Sequence, residues 1–146
     1  MNIPALKNGE KELFIEDVQG VVRAAAGAKV KVITENCYLT QEEKGRACQW
    51  ITQAGAHFVK TSTAYADGGA TLDDVRLMHE AVAGKCQVKA AGGIRQVNEI
   101  LEYLKARARR FGSTRTDQLV QAFQELPEDQ KEAFGEFLID LTTIRS

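Results

Sequence analysis

The sequence predicts an α/β fold of parallel strand–helix units, and three observations predict it. Amphipathic helical stretches alternate with short β-branched runs, and the connections between them are short. A Val-Lys triplet also recurs, as Val30-Lys31-Val32, Val59-Lys60-Thr61 and Val88-Lys89-Ala90, with the lysines the same distance apart in both intervals. A repeat of that length is one βα unit, and such alternation calls for a parallel sheet covered by helices.

The elements follow in order. From Lys11 to Ala26 the residues Phe14, Val18, Val21, Val22 and Ala25 recur at helical spacing, and Gly27 provides a stop. Lys29 to Thr34, KVKVIT, reads as a strand. Thr40 with Glu43 three residues on forms a capping box that opens a second helix ending before Gly55. HFVKTS is the next strand, followed by a glycine-bearing loop, a helix from about Leu72 to Ala83 stopped by Gly84, and the strand CQVKAA. A Gly-Gly loop leads to a helix carrying Val97, Ile100, Leu101 and Leu104. RRFGST reads as a further brief strand and Asp117 to Phe123 as a helix. Pro127 opens a final amphipathic helix with Phe134, Phe137, Leu138 and Leu141.

Side chains alternate across a strand, so Lys31 with Ile33, Phe58 with Lys60 and Ser62, and Lys89 with Ala91 share one face, and the flanking valines pack under the helices. In a (β/α)8 barrel the lysine face points inward. One such lysine is explained by an edge strand whose ammonium reaches water past its own stem. Three in one register are harder to explain that way, because interior ammonium groups lose solvation and repel one another, and both effects favour the neutral amine. A neutral amine attacks carbonyl carbon, so this pattern points to Schiff-base chemistry.

Ala91-Gly92-Gly93-Ile94-Arg95 lies between a strand and a helix, where bare amides and the helix N-terminus can hold an anion; a tight turn explains the glycines equally well. Gly112-Ser113-Thr114 stands in the corresponding place one unit on, and Gly68-Gly69 shapes the loop before Thr71. Glu35, on the lysine face, is a candidate partner for Lys31 or Lys60. Tyr65 and Asp67 lie in the loop after Lys60.

The bulk composition narrows the partners. The chain has 146 residues, 44% hydrophobic and 27% charged, with a net charge of −1, the balance of one soluble domain with no general attraction for nucleic acid or anionic lipid. Arg107, Arg109 and Arg110 form only a local basic cluster. No apolar run has membrane-spanning length and no signal peptide is evident, so a cytoplasmic protein is expected. Cys37, Cys48 and Cys86 form no CxxC pair, and His57 and His79 lack a second ligand at metal spacing, so no metal site or disulfide framework is expected.

VKVITENCYLT, AGAHFVKTST, GGATLDDVRLM and VKAAGGIR together resemble, in order, stretches of the deoxyribose-phosphate aldolase family, and the resemblance runs from about Ile3 to Gly112. It implies a class I aldolase that reversibly cleaves 2-deoxy-D-ribose 5-phosphate to acetaldehyde and D-glyceraldehyde 3-phosphate without a metal or other cofactor. It also implies a partial (β/α)8 TIM barrel, approximately strands four to eight with parallel strands and covering helices, plus a C-terminal helix. On this resemblance Lys60 is the Schiff-base lysine and Lys89 the second active-site lysine, whose charge depresses the pKa of the first. Gly92, Gly93, Gly112 and Ser113 match the loops that bind the substrate phosphate, and Thr63 falls at the active-site loop.

The departures carry expectations of their own. MNIPALKNG resembles the end of the fourth strand, so the first three strands and the family's catalytic aspartate have no counterpart here, which impairs turnover. Ala64 stands where the family usually has glycine. Residues 1–146 read as a single partial barrel domain, with about 1–115 resembling the family and about 116–146 a divergent helical segment. An open half barrel exposes two unpaired edges, which predicts a homo-oligomer or a piece of a longer gene product. The competing functional class is a non-catalytic truncated barrel acting as an assembly or interaction module.

Overall fold

The computed structural model describes residues 1–139. Its sheet holds four parallel strands in sequence order, β1 (Lys31–Ile33), β2 (Phe58–Lys60), β3 (Gln87–Ala91) and β4 (Ala108–Gly112). The helices are α1 (Ile3–Asn8), α2 (Lys11–Ala24), α3 (Gln41–Gln53), α4 (Leu72–Val82), α5 (Val97–Lys105), α6 (Thr116–Gln124) and α7 (Glu128–Ile139). The alternation expected from the sequence is therefore present. Leu141 of the expected final helix lies outside the described residues.

The N-terminus differs from expectation. Residues 3–8 form a helix rather than the end of a strand, so four strands are described where five were expected. The local chemistry accounts for this: Asn2 caps the helix by accepting from the Ala5 N–H at 3.1 Å, Pro4 occupies the first turn, and Gly9 closes it at φ 75°. A Lys7–Glu43 ion pair at 3.1 Å ties α1 to α3.

At α3 the capping box forms as read from the sequence, with Thr40 Oγ1 accepting from the Glu43 N–H and Glu43 Oε2 accepting from the Thr40 N–H. The helices pack on one face of the sheet, burying Val32, Val59, Val88 and Ala108 against Ile51, Val75, Met78 and Leu104. Phe14 and Trp50 meet edge to face at 5.4 Å between α2 and α3. Lys44 and Asp74 form a largely buried ion pair at 2.7 Å between α3 and α4. Among the described residues no helix is long and apolar enough to cross a membrane.

Register places the lysines. Lys60 pairs with Lys89, and Lys89 with Arg110, but Lys31 pairs with Phe58 and it is Ile33 that pairs with Lys60. The expectation of three lysines in one register is corrected accordingly: all share a face, but Lys31 stands one layer below the other two. There its ammonium lies 5.8 Å from the Phe58 ring centroid, while the Arg110 guanidinium lies 4.9 Å away, so the aromatic ring is flanked by two cations. A register shift between Val88 and Lys89 leaves Arg109 as an extra residue in β4, a bulge that puts Arg110 on the lysine face. The basic cluster read from the sequence is thereby split, because Arg109 lines an apolar groove with α5, α6 and α7.

Candidate active site

A cleft of about 310 Å³ opens at the C-terminal ends of the strands, lined by Lys60, Thr63, Gly92, Gly93, Gly112 and Ser113 together with Ala64, Ala91, Ile94, Arg95 and Thr114. Six of the seven site residues expected from the sequence meet in it. The seventh, Lys89, is next to Lys60 in register and underlies Gly112. A Cβ at Gly112 would lie 3.3 Å from Lys89 Cε and 3.7 Å from Nζ, so a side chain there would crowd the amine. Burial, and then the charges of Lys60, Lys31 and Arg110, lower the Lys89 pKa from its ordinary value.

The backbone that carries Lys60 is held from both sides. On the β1 side, Thr34 donates to the Lys60 carbonyl through both its N–H and its Oγ1 at 2.9 Å, and the Asn36 N–H donates to the Thr61 carbonyl at 3.0 Å. On the β3 side, the fully buried Thr61 donates its hydroxyl to the Ala91 carbonyl at 2.8 Å and accepts from the Ala91 N–H at 3.0 Å. The strand ends therefore fix the segment 60–61 before the chain turns into the loop.

That loop begins at Ala64 with φ 70°, a left-handed conformation costly for a residue with a Cβ. It is also the position where the resemblance implied glycine. Ser62 Oγ accepts from the Ala64 N–H at 2.9 Å, and Thr63 Oγ1 accepts from the Tyr65 N–H at 3.2 Å. Further along, the loop packs backbone to backbone on the Gly92 turn. The Ala70 N–H donates to the Gly92 carbonyl at 3.0 Å, and a Cβ at Gly69 would stand 2.5 Å from that same oxygen. Gly92, at φ 93°, would in turn drive a Cβ to 2.5 Å from Ser62 Oγ. Gly68-Gly69 thus does more than shape a turn, since it lets two cleft loops touch.

Two expectations are corrected by these contacts. Glu35 pairs with neither Lys31 nor Lys60: both its oxygens accept from the Thr63 N–H, at 3.0 and 3.1 Å. The start of α5 is not a bare anion cradle either, because Glu99 Oε2 accepts from the N–H groups of Arg95 and Gln96 at 2.7 and 2.8 Å. A carboxylate already occupies that helix end. Ser113 Oγ is also engaged, donating to the Ile94 carbonyl at 2.7 Å and accepting from the Arg115 N–H at 3.0 Å.

Sequence reasoning left out Arg110, Arg95 and Thr61 as site residues. Arg95 stands two residues after the Gly-Gly turn, across Ile94, and was recoverable from that position. Arg110 was not, because its face depends on the bulge. Among the described residues no group of three or more His, Cys, Asp or Glu side chains is placed to hold a metal ion. His57 has a structural partner, its Nδ1 accepting from the Val30 N–H at 3.1 Å, and burial lowers the His79 pKa, with Arg107 and Arg109 adding to the effect.

No family model matches the chain. The deoxyribose-phosphate aldolase of Thermococcus gammatolerans is 49% identical over 123 residues, which cover 83% of this chain and 55% of that protein. That of Staphylococcus epidermidis is 45% identical over 124 residues, covering 85% and 56%. This chain resembles the C-terminal part of deoxyribose-phosphate aldolases. It spans about half the length of the curated relatives it matches. A tetrameric deoxyribose phosphate aldolase from Aeropyrum pernix superposes with a TM-score of 0.71 at 28% identity, covering 77% of this chain and 50% of that one. The partial barrel expected from the deoxyribose-phosphate aldolase motifs agrees with both comparisons and with the parallel four-stranded sheet.

Proposed function

We propose that this chain carries the Schiff-base half of a class I aldolase site acting on 2-deoxy-D-ribose 5-phosphate, with Lys60 as nucleophile. The observation that carries it is the pairing of Lys60 with Lys89 at the cleft end of neighbouring strands. Two amines side by side disfavour protonation of both, and a neutral amine is the attacking form. Lys60 Nζ attacks the aldehyde carbon C1 of the open-chain sugar, and loss of water leaves an iminium. The C3 hydroxyl then gives up its proton to water as the C2–C3 bond breaks, the O–H pair forming the new carbonyl and the C2–C3 pair moving into the iminium to leave an enamine. The released fragment is D-glyceraldehyde 3-phosphate. Protonation of the enamine at C2 and hydrolysis return acetaldehyde and the free amine.

Lys89, with its lowered pKa, is the electrostatic partner in this scheme. Gly92, Gly93, Gly112 and Ser113 supply the loop backbone around the substrate phosphate, and Arg95 in the same cleft adds a cation. The hydroxyl of Thr63 faces substrate or water. The similarity to aldolases supports this scheme at the level of activity, and its setting is then carbohydrate and deoxyribonucleotide catabolism in the cytoplasm. Residues 1–146 are proposed to act as one domain that self-associates through the outer edges of β1 and β4, which pair with no other described strand; sedimentation velocity reads that state.

The test is intact mass after incubation with acetaldehyde and borohydride. The folded chain is expected to gain one ethyl group, and Lys60→Ala to gain none. A folded wild type without the adduct overturns the assignment and leaves the non-catalytic interaction module as the better account.

A further inference from the structure

Glu35 is a buried carboxylate in a strained place. It lies two residues beyond β1 at φ 51° and ψ 64° and is 8% exposed. A non-glycine residue persists in the left-handed region only when its surroundings hold it there, and a carboxylate so buried requires hydrogen-bond partners. Its partner is the Thr63 N–H, which donates to both oxygens at 3.0 and 3.1 Å. Thr63 is the residue at which the chain leaves the segment fixed by Thr34, Asn36 and Ala91, one position before the left-handed turn at Ala64. The hydrogen bond from Thr63 to Glu35 is therefore the last tie between the Lys60 segment and β1 before the loop begins.

We infer that Glu35 is a positioning residue for Lys60, acting through the Thr63 amide to fix the backbone that presents the amine to a carbonyl and to set Thr63 in the cleft wall. The role rests on the Schiff-base assignment above. It is a role for an acceptor at a given reach, not for a negative charge, and two conservative variants separate these. Glu35→Gln keeps the length and one acceptor oxygen but loses the charge. Glu35→Asp keeps the charge but is one methylene shorter and withdraws from Thr63.

The experiment measures the rate of borohydride-trapped adduct formation on Lys60 across a range of acetaldehyde concentrations, with thermal midpoints recorded in parallel. Glu35→Gln is expected to stay close to wild type. Glu35→Asp is expected to lower the maximal rate by about 10- to 100-fold, the scale that loss of orientation produces, with half-saturating acetaldehyde and thermal midpoint little changed. If Glu35→Gln slows as much as Glu35→Asp, or Glu35→Asp does not slow at all, the positioning role is overturned while the Schiff base stands. A folded wild type that forms no adduct overturns the Schiff-base assignment, and the positioning role with it.

Discussion

The helix-covered face of the sheet presents Val32, Val59, Val88 and Ala108, none more than 9% exposed, whereas the opposite face sets Ile33, Lys60, Lys89 and Arg110 across one rung. The two faces belong to the same strands and alternate residue by residue, yet follow opposed energetics. On the first, burial removes apolar area from water and stabilises the chain. On the second, burial first and then the charges of Lys60, Lys31 and Arg110 lower the Lys89 pKa, an arrangement that costs stability and, under the proposed function, favours the reactive neutral amine. Stability and chemistry are thus separated by the pleat itself, and a substitution is expected to disturb one with little effect on the other.

The largest effect tests the covered face. Ile51→Ala, at a fully buried α3 position, is expected to lower unfolding free energy by about 2–5 kcal/mol, while adduct formation at Lys60 persists in the folded fraction; urea titration reads the first and intact mass the second. Gly69→Ala attacks the contact between the cleft loops and should cost about 1–3 kcal/mol through overpacking against the Gly92 carbonyl, this time with loss of adduct rate as well. Ala64→Gly relieves the left-handed backbone and should gain up to about 1 kcal/mol, visible as a raised denaturation midpoint.

The smallest effect concerns charge. Lys89 has a folded pKa below its ordinary value, so between the two values the unfolded chain binds more protons and stability rises with pH. Lys89→Met should therefore raise the thermal midpoint at neutral pH. That advantage should shrink as the pH climbs through the lowered pKa toward 10.5, the ordinary lysine value. An advantage independent of pH would mean that packing, not the cost of burying and crowding the ammonium, sets the difference. The thiols extend the contrast between buried and open surface: burial first, then Cys86 and Asp74, push Cys48 up to about 12, so a thiol reagent should modify the exposed Cys37 well before Cys48 or Cys86.

Much of this was legible in the sequence because the signals were local. The capping box at Thr40 and Glu43, the glycine stops, and the placement of Lys60 and Lys89 on a common face all depend on spacing within a few residues. What was not legible depended on the relation between strands. Equal intervals between the lysines suggested equal heights, but sliding a strand by two residues keeps every side chain on its face, so alternation alone cannot report that Lys31 sits beside Phe58. Nor could Glu35 be assigned, because its amide partner is a backbone group carried by another strand's loop. At the N-terminus the difference is of another kind: Asn2, Pro4 and Gly9 are ordinary local helix signals, whereas the likeness of MNIPALKNG to the end of a strand carries no cap or turn chemistry.

The extra residue in β4 works like an odd step in a two-beat rhythm. Were Arg109 paired in regular alternation, the next residues would exchange sides: Arg110 would turn toward the helices, and Phe111 rather than Gly112 would stand opposite Ala91. The ring would then fill the space above Lys89 that Gly112 leaves clear. Deleting Arg109 should therefore be tolerated better than inserting a residue beside it, since deletion restores regular alternation with Arg110 and Gly112 still opposite Lys89 and Ala91, whereas insertion either reverses the side chains that follow or, if the bulge is absorbed, carries Arg110 and Gly112 two residues past those partners. In this strand the number of residues matters as much as their identity.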